Sequence, residues 1–138
     1  MSDSVHAHLP YEGTIHETLG IQVTEATPQR VVVELEVSPH VHQPTGILHG
    51  GASAVIAESA ASIGAWLNCD QNTQQAAGVD LNVTHLRPKS SGRVRAIATP
   101  IRHGRTVSVW AINIEDEQGK MVAVSRCTVA IRDLPQTS

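Results

Sequence analysis

The chain has 138 residues, a length that suits a single domain. Hydrophobic residues make up 41% of it, but aromatic residues only 2% and phenylalanine is absent, so the core must be built from Val, Ile, Leu and Ala. Such a core is small for this length, which predicts that further apolar surface is buried between subunits. The net charge of −3 argues against general nucleic-acid binding.

Targeting and redox signals are absent from the sequence. The N-terminus has no basic start and no apolar run, no segment approaches the roughly 20 apolar residues of a membrane span, and no C-terminal lipidation motif is present. We therefore expect a cytoplasmic protein without a membrane partner. Cys69 and Cys127 show no metal or redox spacing, and two free buried thiols are the plainer interpretation, although a disulfide stays open.

The basic residues are concentrated in one part of the chain. Between Asp80 and Glu115 there is no acidic residue, and six of the ten basic residues lie in this stretch. They are Arg87, Lys89, Arg93, Arg95, Arg102 and Arg105. One interpretation is a site for a small polyanion, and the other is a set of solvated residues on exposed strand faces.

The first half of the chain predicts a lead-in, a short helix and two strands. Residues 1–12 form a loose lead-in, and residues 14–19 a short helix that ends at Gly20. Residues 21–27 form a strand that stops near Pro28, and residues 30–37 form a second strand in which apolar and mixed positions alternate. Residues 38–48 then form a loop.

Residues 51–68 predict one long helix, because the segment is rich in alanine and lacks proline. Its only charged residue is Glu58. A helix that is apolar nearly all round is a buried helix, so we expect it to be enclosed by sheet.

The second half of the chain reads as strands over residues 76–86, 92–102, 105–114 and 121–131, with turns at 103–104 and 116–119 and a tail from residue 133. Strands joined by tight turns indicate an antiparallel meander. The predicted fold is α+β, one domain over residues 1–138 with one curled antiparallel sheet wrapped around a long central helix, and residues 1–12 and 133–138 as loose ends.

Glu58 is the first candidate for chemistry, because a carboxylate on a buried helix costs free energy unless it is paired or used. Ser62 lies four residues later and therefore on the same helix face. That face is made of small residues, which predicts a close neighbour or a slim ligand. It comprises Gly51, Ala54, Glu58, Ala61, Ser62 and Ala65. The alternative is that Glu58 pairs with an arginine or caps a loop amide.

The second candidate is the segment His49-Gly50-Gly51. Two glycines at a helix start leave backbone N–H groups uncovered at the positive end of the helix dipole. Such groups can stabilise a developing oxyanion in acyl transfer. The alternative is an ordinary turn that needs glycine for its geometry.

Metal and other cofactors are not expected. His40, His42, His49 and Glu58 could in principle bind zinc, but the familiar zinc spacings are missing. The serine-hydrolase elbow, the phosphate-binding loop and the dinucleotide fingerprint are missing as well.

The run from Gln43 through His49-Gly50-Gly51 to Glu58 and Ser59 resembles the hotdog-fold thioesterases. It is most similar to the branch that hydrolyses 4-hydroxybenzoyl-CoA, 1,4-dihydroxy-2-naphthoyl-CoA and phenylacetate-pathway thioesters. Residues 78–88, 92–95 and 125–131 match the same branch, so the resemblance extends from residue 20 to residue 131.

The resemblance implies a role for each matched position. Glu58 would attack the thioester carbonyl or activate water, and the Gly50 N–H would polarise that carbonyl. Gln43 and His49 would orient the thioester and the leaving thiolate. Ser62 would hold the water or the nucleophile's partner.

The resemblance also implies partners. The substrate would be an acyl-CoA, and the subunits would pair their sheets edge to edge into a homodimer, with two dimers usually forming a homotetramer and the active sites at the dimer interface. His85, Arg87, Arg102 and Arg105 are the candidates for the CoA phosphates.

Two other functions are compatible with the same fold. One is a non-catalytic acyl-CoA binding module, and Glu58 beside Gly50 and Gly51 favours an enzyme over it. The other is a dehydratase, which the absence of its Asp-x-x-x-x-His pattern disfavours. The acyl group, aromatic or medium-chain, stays open, with an acyl pocket lined by aliphatic side chains and Trp66.

Overall fold

The computed structural model describes residues 9–135. These residues form two α-helices, one 3₁₀ turn and six strands. In chain order they are α1 Ile15–Leu19, β1 Gln22–Thr27, β2 Arg30–Glu36, the 3₁₀ turn Pro39–Val41, α2 Gly50–Leu67, β3 Gln74–His85, β4 Arg93–His103, β5 Val107–Asp116 and β6 Met121–Asp133. Most of the predicted loose ends, residues 1–8 and 136–138, lie outside the described residues.

The six strands form a single antiparallel sheet with the order β1-β2-β4-β5-β6-β3. Helix α2 packs against all six strands. The predicted fold, one curled antiparallel sheet wrapped around a long helix, is therefore confirmed. Every predicted element is present, with ends that differ by up to two residues. The last strand, for example, continues to Asp133, where a tail was expected.

Strand β3 departs from the predicted meander. Strands β4, β5 and β6 follow one another as expected, but β3 pairs with β6 at the edge of the sheet and not with β4. Residues 86–92 therefore carry the chain from one edge to the interior of the sheet. Hydrophobic alternation identifies a strand without naming its neighbour, which is why the sequence did not reveal this order.

The core consists of small aliphatic side chains, as the composition required, with Trp110 as its largest member. Alanines of α2 bring the helix close to the sheet, and Ala57, Ala60 and Ala61 are fully buried. A Cβ added at Gly64 would overlap the Trp110 ring, so glycine is needed for this approach. The indole Nε1 donates a hydrogen bond to Ser108 Oγ at 2.7 Å.

Helix α2 is not enclosed on all sides within one chain, which corrects the expectation of a buried helix. Ala61 and Ala65 are fully buried, but Gly51 and Glu58 on the neighbouring part of the same face are exposed. The sheet covers only the alanine-rich side of the helix. An exposed stripe of small residues on a long helix is thus available to a ligand or to another chain.

The two cysteines are both free thiols. Cys127 is buried, and burial raises its pKa to about 11. Cys69 is only partly buried, which corrects the expectation for that residue. Among residues 9–135 no helix combines the length and the apolarity needed to cross a membrane.

Candidate active site

Helix α2 begins with His49 as its N-cap. The His49 Nδ1 accepts a hydrogen bond from the Gly51 N–H at 2.7 Å. Within residues 9–135 the Gly50 N–H has no hydrogen-bond partner. The sequence predicted two free N–H groups at this helix start. The Gly50 N–H is free in the described residues, but the Gly51 N–H is not, because it donates to the His49 ring.

Gly50 lines a cleft of about 360 Å³ between α2 and the segment that follows β3. The imidazole of His85 lies against Gly50, and a Cβ added at Gly50 would stand 2.8 Å from His85 Cε1. Glycine at this position therefore leaves room for the ring. The cleft is lined by Gln43, Ile47, Leu48, Gly50, Ser53, His85, Leu86, Arg87, Pro88, Lys89 and Val122.

Gln43 is fixed by a tight turn at the mouth of this cleft. Its backbone N–H donates to the Ile47 carbonyl at 2.8 Å, and Gly46 provides the turn with a φ of 85°. The side-chain Oε1 accepts from the Thr45 N–H at 2.8 Å. The amide NH₂ of Gln43 is thus the part of the side chain left to donate to a substrate.

Glu58 and Ser62 line a second cleft, of about 460 Å³, beside α2. The N-terminal segment, α1 and β3 provide the rest of its lining. The lining residues are Tyr11, Ile15, His16, Ala54, Val55, Glu58, Ser59, Ser62, Ile63 and Leu81. Glu58 and Ser62 are therefore brought together, as their spacing predicted.

The Glu58 carboxylate forms no salt bridge with any residue in the described part of the chain. It packs instead against the backbone of Gly78 in β3, where a Cβ would stand 3.0 Å from Glu58 Cδ. The structure supports neither the arginine pair nor the loop-amide cap. Glu58 is exposed within one chain, so its predicted burial is wrong for the single subunit.

The Gly50 N–H and the Glu58 carboxylate of one chain lie too far apart to reach one reacting group together. Gly50 and Glu58 are eight residues apart on one helix, about 12 Å along its axis, and they face different clefts. A nucleophile and an oxyanion donor must both come within about 3 Å of the reacting group. One chain alone therefore does not bring these two candidate groups to the same reacting carbonyl.

The predicted phosphate-binding residues are not together either. His85 and Arg87 line the first cleft. Arg102 and Arg105 lie towards the other end of the sheet. Arg102 is opposite Val109 near the start of β5, whereas His85 is opposite Ala123 near the start of β6, and β5 and β6 run antiparallel.

Two other basic residues of the segment serve the fold. Arg93 bonds Glu34 at 3.3 Å. The Lys89 ammonium bonds Glu117 and, with backbone N–H donors, lowers the pKa of that carboxyl to about 2.

The loop histidines tie segments together. His40 Nε2 bonds the Leu19 carbonyl at 3.0 Å, and His42 Nε2 bonds the Ser90 carbonyl at 2.9 Å. Within residues 9–135 no three His, Cys, Asp or Glu side chains are grouped as a metal site would require.

Two residues of the Glu58 cleft, Tyr11 and His16, escaped the sequence interpretation. Tyr11 and His16 lie in the predicted lead-in and short helix, yet they line the Glu58 cleft and stack on each other with ring centroids 4.7 Å apart. His16 Nε2 lies 3.0 Å from Ser59 Oγ, and Ser53 lines the first cleft. Trp66, expected in the acyl pocket, lines neither cleft.

Comparison with known proteins places these features in a family context. Residues 45–123 match the model of the thioesterase superfamily. A 1,4-dihydroxy-2-naphthoyl-CoA hydrolase of Listeria monocytogenes is 43% identical over 118 residues, covering 86% of this chain and 95% of the relative.

Two solved structures are also close. A mutant thioesterase of Pseudomonas aeruginosa, with a glutamine replaced by alanine, matches with a TM-score of 0.90 and 34% identity over 97% of this chain and 95% of the other. A Staphylococcus aureus thioesterase matches with a TM-score of 0.84 and 34% identity over 87% and 98%. It has been solved with a glutamine replaced by alanine and, separately, with the glutamate fifteen positions further on replaced by alanine.

Proposed function

This chain belongs to the thioesterase superfamily and is a thioester hydrolase, and we propose that it hydrolyses aromatic acyl-CoA thioesters at a site shared by two chains. The observation that carries the proposal is the division of the chemistry between two clefts. One cleft holds the free Gly50 N–H with Gln43, and the other holds Glu58 with Ser62. A complete site needs one cleft from each chain.

The shared site would supply the backbone and side-chain groups that hydrolysis needs. The Gly50 N–H and the Gln43 NH₂ donate to the thioester carbonyl oxygen and stabilise the negative charge that develops there. Glu58 either takes a proton from an attacking water or attacks the carbonyl carbon to form an anhydride that water then opens. In both routes the carbon–sulfur bond breaks, CoA leaves as a thiolate that takes up a proton, and the acid is released. Ser62, one turn after Glu58, can hold the water.

Strand β3 supplies the surface through which two chains would meet. It is twelve residues long and lies at the edge of the sheet, so its outer backbone groups have no partner strand among residues 9–135. A long unpaired edge favours pairing with another strand. The core is small for the length of the chain, which also predicts that apolar surface is buried between subunits.

The register of β3 supports a specific geometry for that pairing. Glu58 packs on Gly78, and Gly50 packs on His85, seven residues further along the same strand. Antiparallel pairing of two β3 strands about a two-fold axis near Leu81 and Asn82 would set Gly78 of one chain opposite His85 of its partner. Each Glu58 would then face the partner's Gly50. The same pairing would bring the partner's Arg102 end of the sheet towards His85.

The solved variants of the Staphylococcus aureus thioesterase add support for Gln43 and Glu58. The replaced glutamine and glutamate of that protein are fifteen positions apart. Gln43 and Glu58 are also fifteen positions apart in this chain. The equal spacing, within a shared fold, favours these two residues as the functional pair.

The choice of an aromatic acyl group rests on the second cleft. Two stacked rings, Tyr11 and His16, form part of the wall beside Glu58. Flat side chains favour a flat ligand, whereas a flexible acyl chain would be served by aliphatic walls alone. The name of the Listeria relative points the same way. Coenzyme A would lie along the first cleft, with its phosphates near His85 and Arg87. The assembly of two such dimers into a homotetramer stays a prediction.

A thiol-release assay tests the function. Purified protein should release CoA from aromatic acyl-CoAs with a kcat/KM at least about tenfold above that for a medium-chain acyl-CoA. Glu58→Gln should lower kcat by about three orders of magnitude while the fold, followed by circular dichroism, is unchanged. Glu36→Gln, a matched change of an exposed glutamate outside both clefts, should leave kcat unaltered. Tight binding of acyl-CoA without release would instead favour the non-catalytic binding module.

A further inference from the structure

Helix α1 presents to the Glu58 cleft an apolar side chain that the fold itself does not use. No residue of α1 is buried, and Ile15 is 50% exposed. Ile15 belongs neither to the core nor to the partly buried side chains packed against the core, yet it lines the cleft that holds Glu58. Since the fold leaves this side chain unpacked, its surface is available to whatever occupies the cleft.

The segment that carries Ile15 is fixed at both ends. Tyr11 before the helix, and Leu19 and Ile21 at its end, pack against the core. Gly13 and Gly20 flank the helix with φ values of 75° and 71°, a backbone conformation that glycine adopts readily. The chain therefore turns sharply on either side of α1, and the helix between the turns keeps a set place beside the cleft.

A hydrogen bond ties α1 to α2 next to Ile15. His16 Nε2 lies 3.0 Å from Ser59 Oγ, and Ser59 follows Glu58 in the chain. The His16 ring also stacks on Tyr11 with an interplanar angle of 16°. Because Ile15 and His16 are consecutive, the contacts that fix the ring also fix the position of Ile15 relative to Glu58.

We propose that Ile15 sets the largest acyl group that fits beside Glu58, and that the bond between His16 and Ser59 holds Ile15 in that place. The proposal rests on the proposed function, in which the reacting carbonyl lies at Glu58 and coenzyme A lies along the first cleft. The acyl group is then left with the Glu58 cleft, of about 460 Å³, and with α1 as part of its wall.

Among the aliphatic side chains that line the cleft, Ile15 is the exposed one. The others are buried or half-buried and lie on α2 or β3, the elements that enclose the core: Ala54, Val55, Ile63 and Leu81. A change of size at those positions would alter the packing between helix and sheet. A change at Ile15 alters the space in the cleft and leaves the core as it is.

The test measures kcat/KM for benzoyl-CoAs that carry a straight alkyl group at the para position, lengthened one carbon at a time. Each methylene that the cleft buries should raise kcat/KM about fourfold, and the gain should stop at the length where the alkyl group meets Ile15. Ile15→Ala removes the side chain beyond Cβ, so this limit should move out by roughly two to three carbons. Ile15→Trp should lower kcat/KM for the longest accepted member by roughly tenfold or more relative to benzoyl-CoA.

Ile101→Ala is the matched control. Ile101 is 55% exposed, lies in β4 and lines neither cleft. The same substitution at this position should keep the wild-type limit, because it removes equivalent apolar surface away from the cleft.

Two further variants test the bond that holds α1. His16→Phe keeps a ring beside Tyr11 and removes Nε2, and Ser59→Ala removes the other partner of the same bond. Each should raise kcat/KM for the first member beyond the wild-type limit by roughly threefold to tenfold relative to benzoyl-CoA, because α1 is held less firmly. A merely structural bond would lower the melting temperature of both variants without changing that ratio.

The outcomes separate the two proposals. An unchanged limit in Ile15→Ala, or an equal shift in Ile101→Ala, would overturn the role of Ile15 while leaving the thioesterase proposal intact. A lower native mass of Ile15→Ala than of the wild type would show that a partner chain covers Ile15, and would overturn that role as well. Absence of release by the wild type from every member of the series would overturn the proposed function itself.

Discussion

The carboxyl group of Glu58 packs directly against the backbone of Gly78. A Cβ at Gly78 would stand 3.0 Å from both Cδ and Oε2 of Glu58. At this point the β3–β6 register shifts between Gly78 and Asp80, which bends the strand locally. The edge strand therefore sets where the only charged side chain of α2 can lie.

Gly78→Ala should displace the Glu58 carboxylate and lower kcat by roughly one to two orders of magnitude, because small misplacements of a reacting group are costly. The added methyl group meets only a flexible side-chain end, so the free energy of unfolding should change by less than about 1 kcal/mol. Steady-state kinetics and urea titration measure the two effects.

Ala77→Ser is the matched control for that change. Ala77 precedes Gly78 in β3 and, by strand alternation, presents its side chain to the opposite face. Its kcat should equal that of the wild type. An equal loss of kcat in both variants would indicate a general disturbance of the edge strand and would remove the special role of Gly78.

His49→Ala should destabilise the protein by about 1 kcal/mol, because it leaves the Gly51 N–H at the start of α2 without its acceptor. His49→Asn should restore most of the stability and most of kcat, since its side-chain oxygen can accept the same hydrogen bond. Urea unfolding and thiol release measure the pair. If asparagine rescues stability without rescuing kcat, the imidazole itself contacts the substrate, and the capping account of His49 is incomplete.

The stability of the fold should fall in acid partly through His16. Burial lowers the pKa of His16 in the folded state from 6.5. Well above pH 6.5 the ring is neutral in both states and makes no contribution to the pH dependence of stability. As the pH falls below 6.5, the unfolded chain takes up a proton first, so stability is lost down to the folded-state pKa.

Urea midpoints of the wild type and His16→Gln at about pH 7.5 and about pH 5 measure this contribution. The wild type should lose more stability than the variant over that interval, and the two should run in parallel between about pH 7.5 and pH 9. Identical losses in acid would show that the His16 ring is not desolvated by the fold.

The fold was predictable because local patterns determine it. Alternating strands, an alanine-rich helix without proline and polar turns identify every element to within two residues. The position of β3 at the sheet edge was not predictable, since its alternation is satisfied equally well beside β4 or β6. The exposure of Glu58 escaped for a related reason: a run of apolar neighbours indicates a buried helix without indicating which chain covers it.

The candidate site was predictable only in part. Helical spacing related Ser62 to Glu58, and the two glycines at the helix start indicated Gly50, but Gln43 was identified only through the resemblance to the family. The structure places these residues in two clefts. Tyr11 and His16 reach Glu58 from more than forty residues away along the chain, so no local period connects them to it. The capping role of His49 was not predicted, because a histidine is an uncommon N-cap.

The central claim is that each active site takes Gln43 and Gly50 from one chain and Glu58 from its partner. The most direct measurement mixes two inactive variants, Gln43→Ala and Glu58→Gln, after joint unfolding and refolding, and follows thiol release from an aromatic acyl-CoA. Each mixed dimer would hold one doubly altered site and one intact site, so activity should return to about one quarter of the wild-type value at equal mixing. If the mixture stays as inactive as its components while mixed dimers form, the site lies within one chain and the account is contradicted.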